Sequence, residues 1–168
     1  LEPVKMSQAD TQMTFNAYAL GHYIGSSRNF KEAVDMAYEH MGVVTDQDQN
    51  LVWDRVNRQP IVNIKDPMAK AGKLLRYLND FTVSQEFEGG LLMVDARECS
   101  LSQILYFIDK GTPVIAYTGT DTYILLSGYD QYNVTLYDPE TQESWKMGMN
   151  DATAYFESLQ NDFICGKI

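Results

Sequence analysis

Cysteine and histidine, from which most nucleophiles, general bases and zinc sites are built, are scarce in this sequence. The chain has two of each, namely Cys99, Cys165, His22 and His40. No cysteine precedes Cys99 and no histidine follows His40, so the two residue types are separated along the chain. The sequence therefore does not predict a zinc site built from neighbouring residues, and we expect no metal or other cofactor.

Cys99 is the best placed residue for nucleophilic chemistry, because it lies at a predicted helix N-terminus, where the helix dipole can lower a thiol pKa. A nucleophile also needs a base, and we interpret His22 and His40 as residues at helix C-terminal ends instead. We favour a structural or half-exposed thiol for Cys99. A disulfide with Cys165 stays open as an alternative, which would imply an exported protein.

A short acidic segment has part of the pattern of a calcium loop. Asp46, Asp48 and Asn50 alternate as the first ligands of such a loop do. The glycine and the glutamate that the loop needs further on are replaced by Leu51 and Asn57. We therefore expect no calcium site here.

Tyrosine is the most abundant side chain with binding potential, with eleven copies in the chain. Strand alternation places some of them in the core and others on an exposed face. We interpret most as packing residues, and an exposed subset could line a groove for a peptide. Those on predicted strands are Tyr117, Tyr123, Tyr129, Tyr132 and Tyr137.

Composition and charge exclude several classes of protein. With 168 residues, 45% of them hydrophobic and 21% charged, the chain matches one globular domain covering residues 1–168. Its formal net charge of -10 opposes binding to nucleic acid or to an anionic membrane. The longest apolar stretches are strand-sized, so we expect no membrane span and no apolar h-region of a signal peptide within this sequence. Because the sequence starts Leu1-Glu2-Pro3 without a methionine, we expect a domain excised from a longer protein.

Helical spacing of apolar residues and N-terminal capping signals predict the helices. Asn29 with Glu32, and Ser100 with Gln103, have the spacing of a capping box. Asp66-Pro67 supplies an N-cap followed by a proline at the first helical position. The predicted helices cover residues 10–23, 30–41, 67–78 and 101–110, with a last one through residue 159 that Asn150 or Asp151 caps.

Short apolar runs between turn residues predict the strands. Residues 91–94 predict a buried strand, and residues 163–165 predict an edge strand. Residues 45–59 favour either a short helix or an ordered loop. An antiparallel meander is predicted over residues 113–118, 122–129, 132–137 and 142–147. Helices followed by a sheet indicate the α+β class.

Three of these segments together resemble a known family. Residues 111–116 read G-T-P-V-I-A, residues 122–130 read T-Y-I-L-L-S-G-Y-D, and residues 134–139 read V-T-L-Y-D-P. In this order they resemble the sheet strands of papain-like cysteine peptidases of the bacteriocin-processing type, the double-glycine leader peptidases. The resemblance covers residues 100–140 well and implies a papain-like fold, with a helical N-terminal half and a C-terminal antiparallel sheet.

The resemblance also implies a Cys/His/Asp triad, whose cysteine lies on the first helix and whose histidine begins a sheet strand. This chain has Gln12 and Thr122 at those positions and keeps Asp138, so the resemblance implies a catalytically inactive relative. The substrate cleft would then lie near Gln12, Thr122, Tyr123 and Asp138. An equally good interpretation of Asp138 is a cap on the turn that begins at Pro139.

The function implied by the resemblance is binding of a peptide or protein partner, linked to export or to a cell-surface assembly. An extracellular or membrane-associated location follows from that setting. Two alternatives remain open, namely an active peptidase or other hydrolase that uses Cys99 and a structural module of a bacterial surface protein.

Overall fold

The structure is a computed structural model that describes residues 13–55, 61–76, 85–87 and 91–167. These residues form an α+β fold with four helices and two antiparallel sheets, one of four strands and one of eight. None of the helices in the described part of the chain has the length and apolar character needed to span a bilayer.

The smaller sheet contains the first strands of the described chain, in the order β2-β1-β3-β4. Helix α1, Phe30–Glu39, connects its second and third strands and packs on the sheet. Its strands are β1 Phe15–Ala19, β2 His22–Ser27, β3 Val43–Thr45 and β4 Leu51–Asp54.

The predicted helix over residues 10–23 is wrong, because its described residues form the β1–β2 hairpin. Leu20 and Gly21 both have positive φ angles, 51° and 78°, which is the requirement of a tight hairpin turn. Strand β1 pairs with β2 on one side and with β3 on the other, so this central strand buries Phe15 and Ala17.

The expected helical N-terminal half therefore begins with a four-stranded sheet on which α1 packs, and the predicted helices over residues 30–41 and 67–78 are confirmed as α1 and as α2, Pro67–Arg76. Residues 45–54 likewise form the last residue of β3, a turn and the whole of β4, not a helix, and residues 56–59 of that predicted segment lie outside the described residues.

The larger sheet has the order β11-β10-β9-β8-β12-β7-β6, and β5 pairs with β9. The predicted meander is confirmed, since β8, β9, β10 and β11 are consecutive antiparallel neighbours. Its strands are β5 Val62–Asn63, β6 Gln85–Phe87, β7 Leu91–Asp95, β8 Val114–Tyr117, β9 Tyr123–Tyr129, β10 Asn133–Asp138, β11 Glu143–Gly148 and β12 Phe163–Lys167.

The last strand, β12, is not the edge strand that the sequence predicted. It lies between β7 and β8, with Ile164 paired to Asp95 and to Ile115. Phe163, Ile164 and Cys165 are all buried, and a strand buried on both faces belongs in the middle of a sheet.

The remaining helices are α2 Pro67–Arg76, α3 Leu101–Asp109 and α4 Met149–Ser158. The capping box of α3 is confirmed, since the Ser100 hydroxyl accepts from the Gln103 N–H at 3.3 Å and the Gln103 Oε1 accepts from the Ser100 N–H at 2.9 Å. Asp66 caps α2 as predicted, accepting from the Ala69 N–H at 3.3 Å. Helix α4 starts two or three residues earlier than expected, and its N-cap residue Gly148 makes no side-chain bond.

Two clusters of buried residues cover opposite faces of the larger sheet. Alternate residues of each central strand enter different clusters, as Val114 and Ile115 of β8 do. One face packs against α2 through Leu74. The other face carries α3 and α4, and its cluster continues into the smaller sheet through residues such as Phe15.

Candidate binding cleft

The structure tests the positions of some of the predicted site residues. Gln12 lies outside the described residues. Thr122 is exposed directly before β9, in a turn where its carbonyl oxygen accepts from the Thr118 N–H at 2.9 Å. The Thr118 hydroxyl donates to the Thr122 hydroxyl at 2.9 Å, so Thr122 has a structural role in this turn.

Tyr123 and Asp138 lie at the same end of two neighbouring strands. Tyr123 begins β9 and pairs with Tyr117 across the strands, at the rim of the core that α2 covers. Asp138 ends β10, and its Oδ1 accepts from the Glu140 N–H at 2.9 Å. The interpretation of Asp138 as a turn cap is therefore confirmed.

Both cysteines are free and buried, so the described structure contains no bridge between them. Burial raises the pKa of the Cys99 thiol to about 12, and the nearby negative charge of Asp35 adds to the shift. Burial also raises the pKa of Cys165 well above its usual range. A thiol in this state does not act as a nucleophile at neutral pH.

The two histidines lie in different elements, one in β2 and one at the C-terminal end of α1. His22 begins β2 and is exposed, so its predicted position at a helix end is wrong because the hairpin replaces that helix. His40 is the C-cap residue of α1, as predicted, and its N–H donates to the Ala37 carbonyl at 3.2 Å.

The acidic segment with a calcium-like pattern forms a turn between β3 and β4. Asp46 Oδ1 accepts from the backbone N–H groups of Asp48 and Asn50, at 2.8 and 2.9 Å. The other carboxylate oxygen accepts from the Asn50 side chain at 3.2 Å. These bonds occupy the carboxylate, and no group of His, Cys, Asp and Glu in the described part of the chain is arranged to hold a metal ion.

A cleft of about 640 Å³, which the sequence did not predict, lies where α1 begins. Three loop segments form its walls: the N-terminus of α1, the turn after β7 and the turn between α4 and β12. The residues that line it are Arg28, Asn29, Phe30, Asp95, Arg97, Glu98, Gln160 and Asp162.

The wall at α1 is fixed by local hydrogen bonds. The Asn29 side chain caps the helix by accepting from the Glu32 N–H at 3.1 Å. The Glu32 carboxylate does not complete the predicted capping box, because it accepts from the Ser27 hydroxyl at 2.7 Å. The Asn29 N–H donates to the same hydroxyl at 2.9 Å, so Asn29 is held on both sides.

The wall after β7 contains an ion pair. Arg97 donates to both carboxylate oxygens of Asp95, through Nε to Oδ1 at 2.8 Å and through Nη2 to Oδ2. The Arg97 backbone N–H also donates to Oδ1, at 3.1 Å. This pairing raises the pKa of the guanidinium and neutralises both charges locally.

The third wall is a turn with an unusual backbone. Gln160 and Asn161 have φ angles of 64° and 49°, and Glu98 opposite them has a φ of 71°. The Glu98 N–H donates to the Asn161 carbonyl at 2.9 Å, which joins the two turns. Non-glycine residues in this conformation are uncommon and are often found at functional sites.

Asp162 follows this turn and is half-buried. Burial raises the pKa of its carboxyl group, the Arg97 guanidinium opposes that shift, and the charge of Asp95 adds to it. No described residue donates a hydrogen bond to the Asp162 carboxylate. The negative charge of this side chain is therefore only partly compensated.

The cleft and Thr122 lie at one edge of the larger sheet. Asp95 ends β7, Asp162 precedes β12 and Tyr117 ends β8, beside the start of β9. The sheet therefore places the start of the β9 strand near the cleft, separated from β7 by β12 and β8.

The described lining of the cleft contains carboxylates, guanidinium groups, amides and one phenyl ring, but no thiol or imidazole. Such a surface can bind a ligand by hydrogen bonds and charge, but it offers no nucleophile and base pair. The sequence contained one signal for this cleft. The segment Asp95-Ala96-Arg97 places an acidic and a basic side chain directly after a predicted buried strand. The chain matches no family model, no curated protein and no solved structure at a significant level.

Proposed function

We propose that this chain is a catalytically inactive, papain-like domain that binds a segment of a peptide or protein partner in the cleft at the N-terminus of α1. The resemblance to double-glycine leader peptidases puts such a domain in export or in a cell-surface assembly, and we include that setting in the proposal. The observation that carries the proposal is an open, polar cleft that lacks any thiol or imidazole among its described lining residues.

The location of the cleft supports the papain-like interpretation. In the resembled family the nucleophile begins the first helix, and the first helix of the described chain starts at Phe30, not near Gln12. We therefore propose the segment from Arg28 to Phe30, in place of Gln12, as the position of the lost nucleophile. None of these residues can attack a carbonyl group, and the cleft opens at this point beside the edge of the sheet.

The order of the strands gives independent support. The three segments that carry the resemblance form β8, β9 and β10, which are neighbours in the sheet in chain order. Position 128 of the S-G-Y-D segment requires glycine for a steric reason. A Cβ there would lie 2.4 Å from the Val62 carbonyl oxygen of β5.

An active hydrolase that uses Cys99 is disfavoured by the surroundings of this thiol. Cys99 is fully buried, and burial raises the pKa of its thiol to about 12. The charges of Asp35 and Asp95 add to the shift, and the charge of Lys31 opposes it without reversing it. A catalytic thiolate needs the opposite environment, a positive charge and access to substrate.

The test is a selection of peptides from a randomised phage library on the immobilised full chain, followed by affinity measurement. Gln160→Trp fills part of the cleft and should weaken binding of the selected peptides at least tenfold. Gln142→Trp is the matched control, because Gln142 is also exposed with a positive φ, 61°, but lies in the β10–β11 turn.

Mass spectrometry of the peptide after incubation should find it intact. Cleavage of the peptide would contradict an inactive domain. Selection of no peptide, or equal effects of the two tryptophan substitutions, would contradict binding in this cleft.

A further inference from the structure

We infer that the partner places a lysine or arginine side chain in the cleft, where the carboxylate of Asp162 receives it and Glu98 adds a second negative charge. This inference rests on the proposed function, because it names the chemistry of the ligand at the same site. It follows from which charges of the cleft are already satisfied and which are not.

Neither arginine of the cleft is without an interaction partner inside the protein. The Arg97 guanidinium is bidentate on Asp95. Arg28 also has an interaction of its own. An anionic ligand would therefore have to compete with Asp95 for the Arg97 guanidinium.

The carboxylates of Glu98 and Asp162, unlike that of Asp95, are not paired with an arginine in the described part of the chain. Glu98 is exposed and Asp162 is half-buried, and no described residue donates a hydrogen bond to either side chain. A half-buried carboxylate has lost part of its hydration, so it gains more from a cationic donor than an exposed one does. The pKa of Asp162 is raised because the nearby Arg97 charge does not fully offset the loss of hydration of this carboxylate.

The position of Asp162 is set by its backbone and not by its side chain. Its carbonyl oxygen accepts from the Tyr117 N–H at 3.0 Å, which attaches the turn to the end of β8. The Glu98 N–H donates to the neighbouring Asn161 carbonyl. The carboxylate is thus presented to the cleft without a partner that would have to be displaced, a pre-organised acceptor.

The charge of the whole chain favours the same class of ligand. A formal net charge of -10 attracts a cationic peptide at long range and repels an acidic one. The size of the cleft, about 640 Å³, accommodates a long side chain together with some of its flanking backbone.

The experiment repeats the peptide selection on the wild-type chain and on the Asp162→Asn variant. The peptides selected on the wild type should carry lysine or arginine at one fixed position. For the best of them, Asp162→Asn should weaken binding about tenfold or more, and replacing its key arginine by uncharged citrulline should have the same effect. The two changes combined should cost little beyond either alone, since they remove the same interaction.

Glu143→Gln is the control, because it removes an exposed carboxylate from β11, at the opposite end of the strand order. Its affinity for the peptide should equal that of the wild type, and urea unfolding should find every variant folded. Selected peptides with no basic residue in common, or an unchanged affinity for Asp162→Asn, would overturn the inference. The proposed function would survive that result if Gln160→Trp still weakened binding, whereas selection of no peptide would overturn both.

Discussion

The backbone N–H of Tyr117 donates a 3.0 Å hydrogen bond to the carbonyl oxygen of Asp162, and this bond joins the end of β8 to one wall of the cleft. The side chains of the two residues also interact, because the charge of Asp162 contributes, after burial, to the raised pKa of the Tyr117 hydroxyl. A peptide group thus fixes Asp162 while its carboxylate stays available to a ligand.

Asp162→Asn should stabilise the free protein at neutral pH. The pKa of Asp162 is raised above the ordinary value of 3.8, so its ionisation costs folding free energy. This cost is fully present at pH values above the raised pKa that Asp162 has in the folded protein. It disappears as the pH falls below 3.8, where the carboxyl group is protonated in the folded and in the unfolded protein. The urea midpoint of the variant should exceed that of the wild type at pH 7, and the difference should shrink in acid. A lower midpoint at pH 7 would assign Asp162 a structural role instead.

Cys99 and Cys165 should not react with iodoacetamide in the folded protein. With the Cys99 pKa raised to about 12, about one thiol in ten thousand is ionised at pH 8, and both side chains are buried. Mass spectrometry should find no adduct under native conditions and two adducts after unfolding in guanidinium. Rapid labelling of Cys99 in the folded state would revive the alternative of a catalytic thiol.

Gln103 should be critical for stability, because its buried side chain serves two partners. Its Nε2 donates to Asp35 Oδ1 at 2.6 Å, and its Oε1 accepts from the Ser100 N–H. Gln103→Leu removes both bonds, although Asp35 keeps its ion pair with Lys31 at 2.6 Å and contact with solvent. We expect a loss of about 1 to 2 kcal/mol in the free energy of unfolding, mainly from the capping bond to Ser100. The exposed Gln131 provides a control, since Gln131→Leu should change the free energy of unfolding by less than about 0.5 kcal/mol. Equal effects of the two changes would contradict this role.

Two glycines should respond in opposite directions to alanine. At Gly128 the new Cβ would meet the β5 backbone, 2.4 Å from the Val62 carbonyl oxygen and 3.2 Å from the Asn63 Cα. We expect Gly128→Ala to cost about 3 kcal/mol, because backbone atoms of a paired strand cannot move aside. At Gly72 in α2 a Cβ meets nothing within 4 Å, so Gly72→Ala should stabilise the protein by about 0.5 to 1 kcal/mol. Urea unfolding measures both, and a tolerated Gly128→Ala would contradict the close pairing of β5 with β9.

Elements with strong local signals could be predicted from the sequence. The capping box of Ser100 and Gln103 starts α3, and the turn residues between apolar runs locate the meander from β8 to β11. The first hairpin could not be predicted in the same way. Met13, Ala17, Leu20 and Ile24 fit a helical period, but pairing of β1 with the distant β3 decides the outcome, and no local pattern reports such a contact.

The cleft was beyond prediction for a related reason. Its walls come from three segments far apart in the chain, around Asn29, Arg97 and Asp162. They meet only because β12 inserts between β7 and β8, and the sequence predicted this strand at an edge. The strand predicted over residues 122–129 is β9, which begins one residue later at Tyr123, so Thr122 lies in the turn before it, at the sheet edge that bears the cleft.

The most direct test of the account is a ¹H–¹⁵N NMR titration of the full chain with a selected peptide, with the mass of the peptide measured afterwards. The account predicts that the largest shift changes lie at the backbone amides of Arg28, Asn29, Glu98 and Asp162, and that the peptide is recovered intact. Changes centred elsewhere, such as on the exposed β11 strand around Trp145, or cleavage of the peptide would contradict it.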